Sequence, residues 1–163
     1  MKIVIAIVVI LVLIVIGTLF KNHAFLFESS GLKKRLVVYL TTNAARTSDV
    51  HPFPELRTPV FDIEPDELYI AVQDAANDLG WSIMDSDDVE WRLDMVAKSP
   101  LLLFMDDVNV EIKPQACEEG ETKTALHIRA HSRIGQADFA ANADHIQQLV
   151  KAVNKRLELG FLH

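Results

Sequence analysis

Thiol chemistry has almost no foothold in this chain: its 163 residues include one cysteine, Cys117. A lone cysteine cannot close an internal disulfide, so thiol content leaves the compartment open. Its neighbours in QACEEGETK are acids, which disfavour a nucleophilic thiolate, so Cys117 reads as a loop bystander. Glycine is scarce, with six residues, and nowhere do they form a phosphate-cradling or dinucleotide loop. Metal-ligand spacings are missing as well. His127 and His131 lie about 13 Å apart by strand rise, too far to share one ion. Asp85, Asp87 and Asp88 lack the glycine and closing glutamate of a calcium loop, so a solvated turn is expected. His131, Ser132 and Asp138 are a triad by composition only, because adjacent strand residues point to opposite faces. No cofactor and no metal is expected.

Basic residues are sparse in the body of the chain. From Thr58 to His163 there are nine Lys or Arg against twenty Asp or Glu, whereas Lys21 to Arg57 holds six against three. An acidic body repels phosphates and argues against nucleic acid as a partner. The basic stem, with Lys33, Lys34 and Arg35, suits anionic lipid head groups.

Charge is absent altogether from Ile3 to Phe20, a run of 18 residues reading IVIAIVVILVLIVIGTLF. As a helix it spans roughly 27 Å, close to the thickness of a bilayer's hydrocarbon core. No polar face interrupts it, so a transmembrane anchor is expected. The run is long for a cleaved signal and is followed by Lys21, Asn22 and His23, with Ser29-Ser30-Gly31 only a distant cleavage candidate; an uncleaved anchor is preferred. The positive-inside comparison sets Lys2 against Lys21, Lys33, Lys34 and Arg35, which places the domain in the cytoplasm when counted literally. A minimal N-terminal tail with an early lysine is also what an exporting signal-anchor looks like, so charge leaves orientation open.

Three regions follow: an anchor over 1–21, a basic juxtamembrane linker over 22–57, and a globular domain over 58–163. Within the linker, Leu32, Leu36, Val37 and Leu40 recur at helical spacing beside Lys33, Lys34 and Arg35. They make either a short interfacial helix or a segment lying on the domain. Pro52 and Pro54 prohibit regular structure nearby. TPVFDI (58–63) reads as a short strand, and Pro65-Asp66-Glu67 starts a helix that Gly80 closes. Trp81 and Ile83, then Val89 to Ala97, alternate as half-buried strands around a turn at Asp85–Asp88, and Trp81 and Trp91 are expected in the core. Phe104–Lys113 and Thr124–Arg133 alternate likewise across a loop at 116–122. Asp138 is placed to cap a last helix with Ile146, Leu149, Val150, Val153 and Leu157 as its buried stripe. The order implies an α+β fold: an antiparallel β-sheet with two helices packed on one face, preceded by one N-terminal transmembrane helix.

Phe104-Met105-Asp106-Asp107 and the stretch Ser132-Arg133-Ile134-Gly135-Gln136-Ala137-Asp138-Phe139-Ala140-Ala141-Asn142-Ala143-Asp144-His145-Ile146 resemble the bacterial family named for domain of unknown function 1499. Its pattern is F-x-D-D, then S-R-x-G-x-x-D-x-G-x-N-x-x-R-I, with a weaker element matched by Thr42-Asn43-Ala44. Ala140 stands where the family usually has Gly, and His145 where it usually has Arg. The Cys-Pro pair often found upstream is replaced by Leu40-Thr41. The resemblance implies an envelope protein, often with an N-terminal anchor, and so a periplasmic domain in the inner membrane; it implies no catalytic residues.

Alternation turns Asp106 towards the core, where a carboxylate must find donors. The turn amides at Gly135 and the side chains of Arg133 or Asn142 are the expected donors. Asp107 points outward, within reach of Arg129 or Arg133. Asp106, Asp107, Arg133, Gly135, Asp138, Asn142 and His145 therefore form one candidate polar cluster, read first as a clasp fixing the last helix to the sheet. The leading functional expectation is an accessory protein without catalytic residues that binds a membrane or envelope protein. The alternatives are a carrier of a lipid or small apolar ligand, or a hydrolase using Asp106 or Asp107.

Overall fold

Period-two alternation in the second half of the chain becomes an antiparallel sheet. The computed structural model describes residues 1–98, 105–115 and 122–160. Its strands are β1 (Ala44–Arg46), β2 (Val60–Phe61), β3 (Ser82–Asp87), β4 (Arg92–Lys98), β5 (Met105–Gln115) and β6 (Lys123–Ser132). They run β1-β6-β5-β4-β3, and β2 pairs with the far end of the β6 edge that β1 occupies. Leu93 and Met95 on β4, Val108, Val110 and Ile112 on β5, and Leu126, Ile128 and Ala130 on β6 are buried in one core. Phe104 and Cys117 lie outside the described residues.

Two helices cover the buried face, α3 (Pro65–Asp78) and α4 (Ala141–Gly160). In α3, Pro65 opens the first turn beside Asp66 and Glu67, and Leu68, Val72, Ala75 and Ala76 are fully buried. Gly80, at φ +69°, supplies the left-handed residue that ends it. In α4, Ile146, Leu149 and Val153 are fully buried and Val150 and Leu157 pack against the core. Each such large side chain contributes roughly 1.5–3 kcal/mol, so this stripe outweighs the helix's own propensity in holding it. The α+β architecture is the one that the alternation implied.

Helix α1 (Lys2–Lys21) is long and apolar enough to cross a membrane, and its side chains are exposed on all sides over most of its length. Its last turn behaves differently. Leu19 is buried and Val15 packs against the core. Asn22 Nδ2 donates to the Phe139 carbonyl at 2.9 Å, and His23 Nδ1 lies 3.1 Å from Asp144 Oδ1.

The segment expected as a linker belongs to the domain. Helix α2 (Gly31–Thr41) runs directly into β1, which joins the sheet, and Tyr39, Phe53 and Leu56 are core residues. Short alternating stretches such as Ala44–Arg46 carry too little periodicity to announce a strand. Arg35 is also not a head-group contact, because it is fully buried. It forms a two-pronged pair with Glu55, donates to Tyr39 Oη at 3.1 Å, and stacks 4.3 Å from the Phe53 ring centroid. Lys33 and Lys34 stay exposed on the opposite side. Pro54 does not merely break structure; it opens a single 3₁₀ turn, Pro54–Leu56, that presents Glu55 to Arg35.

The hairpin turn falls at residues 88–91, three positions later than expected. Asp87 Oδ1 accepts from the Val89 and Glu90 amides, which winds the chain there, and Trp91 takes φ +48°. Val89, expected to point inward, is exposed at that tip. Trp81 is a core residue, whereas Trp91 is half-buried and donates Nε1 to Asp66 Oδ1 at 2.7 Å.

Removing the Arg35 side chain leaves a largely buried Glu55 without its partner. Arg35→Ala is expected to lose about 3 kcal/mol in denaturant titration of the full chain in detergent. Arg35→Lys, which cannot form the fork, should restore only part of it. A loss below about 1 kcal/mol for Arg35→Ala would contradict the assignment.

Candidate functional site

Strand alternation on β5 buries Asp106, at 3% exposure, and turns Asp107 outward. On α4, Asn142 and His145 are three residues apart and so share the face that meets the sheet. His145 Nε2 donates to Asp106 Oδ2 at 2.9 Å. Register sets Ser132 directly opposite Asp106. Burial pushes the Asp106 carboxyl up, but the His145 hydrogen bond, the Ser132 hydroxyl and the fields of His145 and His131 prevail and hold it below its ordinary value. The Trp81 ring meets His145 edge-on, with centroids 5.6 Å apart.

Asp138 carries a second set of bonds. Its Oδ1 accepts from the Ala140 amide at 3.0 Å, and its Oδ2 accepts from the Asn142 amide at 3.1 Å and from Asn142 Nδ2 at 2.6 Å. This is the helix cap that the sequence implied. Burial raises the Asp138 carboxyl above its ordinary value, outweighing the donors from Asn142 and Ala140. Asn142 is fully buried. Its amide nitrogen also reaches Asn43 O at 2.8 Å and Ser132 Oγ at 3.0 Å. Asn43 in turn donates to the Gly135 carbonyl at 2.8 Å. The Thr42-Asn43-Ala44 element thus meets the long motif in space.

The donors expected for Asp106 go elsewhere. Arg133, on the outer face, pairs with Asp107 through Nε at 2.9 Å and Nη2 at 2.6 Å, and His131 Nε2 lies 3.5 Å from the same carboxylate. Gly135, at φ +98°, serves through its carbonyl. Asn142 is engaged by Asp138. The structure therefore divides the seven-residue cluster into an inner group (Asp106, Asp138, Asn142, His145), an outer pair (Asp107, Arg133), and a turn residue (Gly135). His145 was not among the expected donors, although its i, i+3 spacing from Asn142 was a signal that could have found it.

Two carboxylates pushed in opposite directions are a pattern that acid–base sites use. Here, however, His145 spends Nε2 on Asp106 and its Nδ1 is buried, so the imidazole offers no nitrogen to a substrate. These contacts tie helix to sheet. No group of three or more His, Cys, Asp or Glu able to hold a metal ion occurs among the described residues. A cavity of about 270 Å³ opens beside this network, between α2, β1 and the start of α4, and Asp138 forms part of its wall.

The chain belongs to the DUF1499 family, proteins of unknown function, whose pattern matches residues 38–153. The match runs from inside α2 into α4, covering the sheet and both motif segments but not α1. No curated protein matches the chain.

Asp106→Asn is expected to unfold more easily at neutral pH. A depressed folded-state pKa gives stability that is present above the ordinary carboxylate value and lost as pH falls through the lower folded value. The deficit of the variant should therefore shrink in acid, a trend that melting curves across pH would read; a deficit constant with pH would refute it. Phe139 and Ala140 both adopt positive φ, +52° and +71°, a left-handed conformation that costs a non-glycine residue roughly 1–2 kcal/mol. The glycine that the resemblance leads one to expect at the Ala140 position would adopt this backbone at lower cost. Ala140→Gly should gain roughly 0.5–1 kcal/mol after the buried methyl is lost. A destabilised variant would show that the methyl's packing dominates.

Proposed function

We propose that the chain is a single-pass protein of the bacterial inner membrane, an accessory protein without catalytic residues, whose α+β domain sits on the periplasmic side and binds a protein component of the same envelope. One observation carries the reading: the end of α1 is bonded directly to the domain through Leu19, Asn22 and His23. A domain on a flexible tether could reach deep into its compartment, whereas this one is confined to the bilayer surface. Its partner must then lie in or on that membrane. The exposed side chains of Phe20, Phe27, Val37 and Leu40 beside Lys33 and Lys34 support a lipid-facing side near the anchor. The periplasmic side rests on the family resemblance.

The test is labelling of Val89→Cys, at the exposed hairpin tip, in a Cys117→Ser background. A membrane-impermeant maleimide should label it in spheroplasts without lysis. Labelling only after lysis would place the domain in the cytoplasm. A stoichiometric partner should co-purify from solubilised membranes, and recovery of the bare chain alone would count against the binding role.

A further inference from the structure

Arg46 on β1 and Arg129 on β6 stand directly opposite one another. Both are exposed, and among the described residues neither makes a side-chain hydrogen bond or ion pair. Like charges set opposite on paired strands repel. The arrangement is odd in a chain with 23 Asp and Glu against 16 Lys and Arg, where a neutralising carboxylate would be easy to supply. Among the described residues no acid on that face pairs with either arginine, although Asp85 and Asp87, bonded to the amides of Ser86 and of Val89, line an open cleft with both. Asp94 accepts from Asn109 Nδ2 at 2.6 Å, Asp107 holds Arg133, and Glu111 pairs with Lys113 at 3.0 Å.

Both arginines line the 270 Å³ cavity, whose other walls include the apolar side chains of Tyr39, Phe53, Leu56 and Ala140. The Asp138 carboxylate in the wall is occupied by Ala140 and Asn142. An apolar chamber with a cationic fork at its rim has the chemistry of an amphiphile site, and its volume lies near the lower end of the roughly 300–1,000 Å³ usual for small-molecule pockets.

We propose that this cavity binds an anionic amphiphile. The Arg46 and Arg129 guanidiniums share a phosphate or carboxylate group through paired N–H donors, and the attached apolar chain lies along the wall that the stacked Tyr39 and Phe53 rings form with Leu56. Such a ligand converts a repulsive pair into a bridged one. The amphiphile comes either from the bilayer or from solution. The bilayer source rests on the membrane reading above, whereas binding to the purified chain does not.

The experiment is thermal unfolding of the full chain in dodecyl maltoside, with added dodecyl phosphate or inorganic phosphate. Dodecyl phosphate should raise the midpoint saturably, with apparent affinity at least about tenfold weaker in Arg46→Ala and Arg129→Ala. Without ligand both variants should melt at or above the wild type, because repulsion is relieved; a purely structural role would lower them. An equal response in the variants, or variants that melt several degrees lower without ligand, would overturn the site. An equal response to inorganic phosphate would overturn the amphiphile and leave a simple anion site. In phosphatidylcholine nanodiscs, stabilisation by added phosphatidic acid that both variants lose supports the bilayer source. Its absence there, with dodecyl phosphate still active in detergent, rejects that source while the site stands.

Discussion

The Asp138 carboxylate organises the point at which the separate parts of this molecule meet. By accepting from the Ala140 and Asn142 amides it bends the chain through two left-handed residues and starts α4. The same turn gives the Asp138 and Phe139 amides to the end of α2, at Thr42 O and Tyr39 O. Phe139 offers its carbonyl to Asn22 at the end of α1. Asn142, held by Asp138, reaches β6 through Ser132 and the start of β1 through Asn43. A helix cap alone is worth about 1 kcal/mol. This one fixes the geometry of five other contacts, so its loss would be felt by three helices and two strands together.

The Asp106–His145 bond is a second tie, between β5 and α4, linked to the first through the Ser132 hydroxyl. Burial raises the Asp106 carboxyl, and the hydrogen bonds from His145 and Ser132 lower it again to below its ordinary value. His145, where the resemblance leads one to expect arginine, makes this tie with a shorter side chain whose ring meets Trp81 edge-on. Polar bonds of this kind restrict which way a helix can lie on a sheet, whereas the apolar stripe of Ile146, Leu149 and Val153 would tolerate some sliding.

Much of this was legible in the residues. An unbroken apolar run announced α1, strong periodicity announced α3, α4 and the long strands, and the Asp138 cap followed from its place before an apolar stripe. What failed was short or context-dependent. Three-residue β1 has no periodicity of its own and is a strand only because β6 offers an edge. Arg35 reads as basic surface until Glu55 and Phe53 are brought to it by a proline-started turn. The hairpin slid to Trp91 because the Asp87 carboxylate, and not the run of acids itself, nucleates the turn. The cluster's membership was readable, but its wiring was not, since the direction of Arg133 depends on which face of β6 follows Ser132.

The domain is fixed to the end of α1 and does not swing on a tether. Double electron–electron resonance tests it directly, with spin labels on Gly17→Cys in α1 and on exposed Ile70→Cys in α3, Cys117 replaced by serine and the chain held in lipid nanodiscs. A single narrow distance distribution is predicted, broadening when Asn22 is changed to Ala. A wide distribution in the otherwise unaltered chain would contradict the claim.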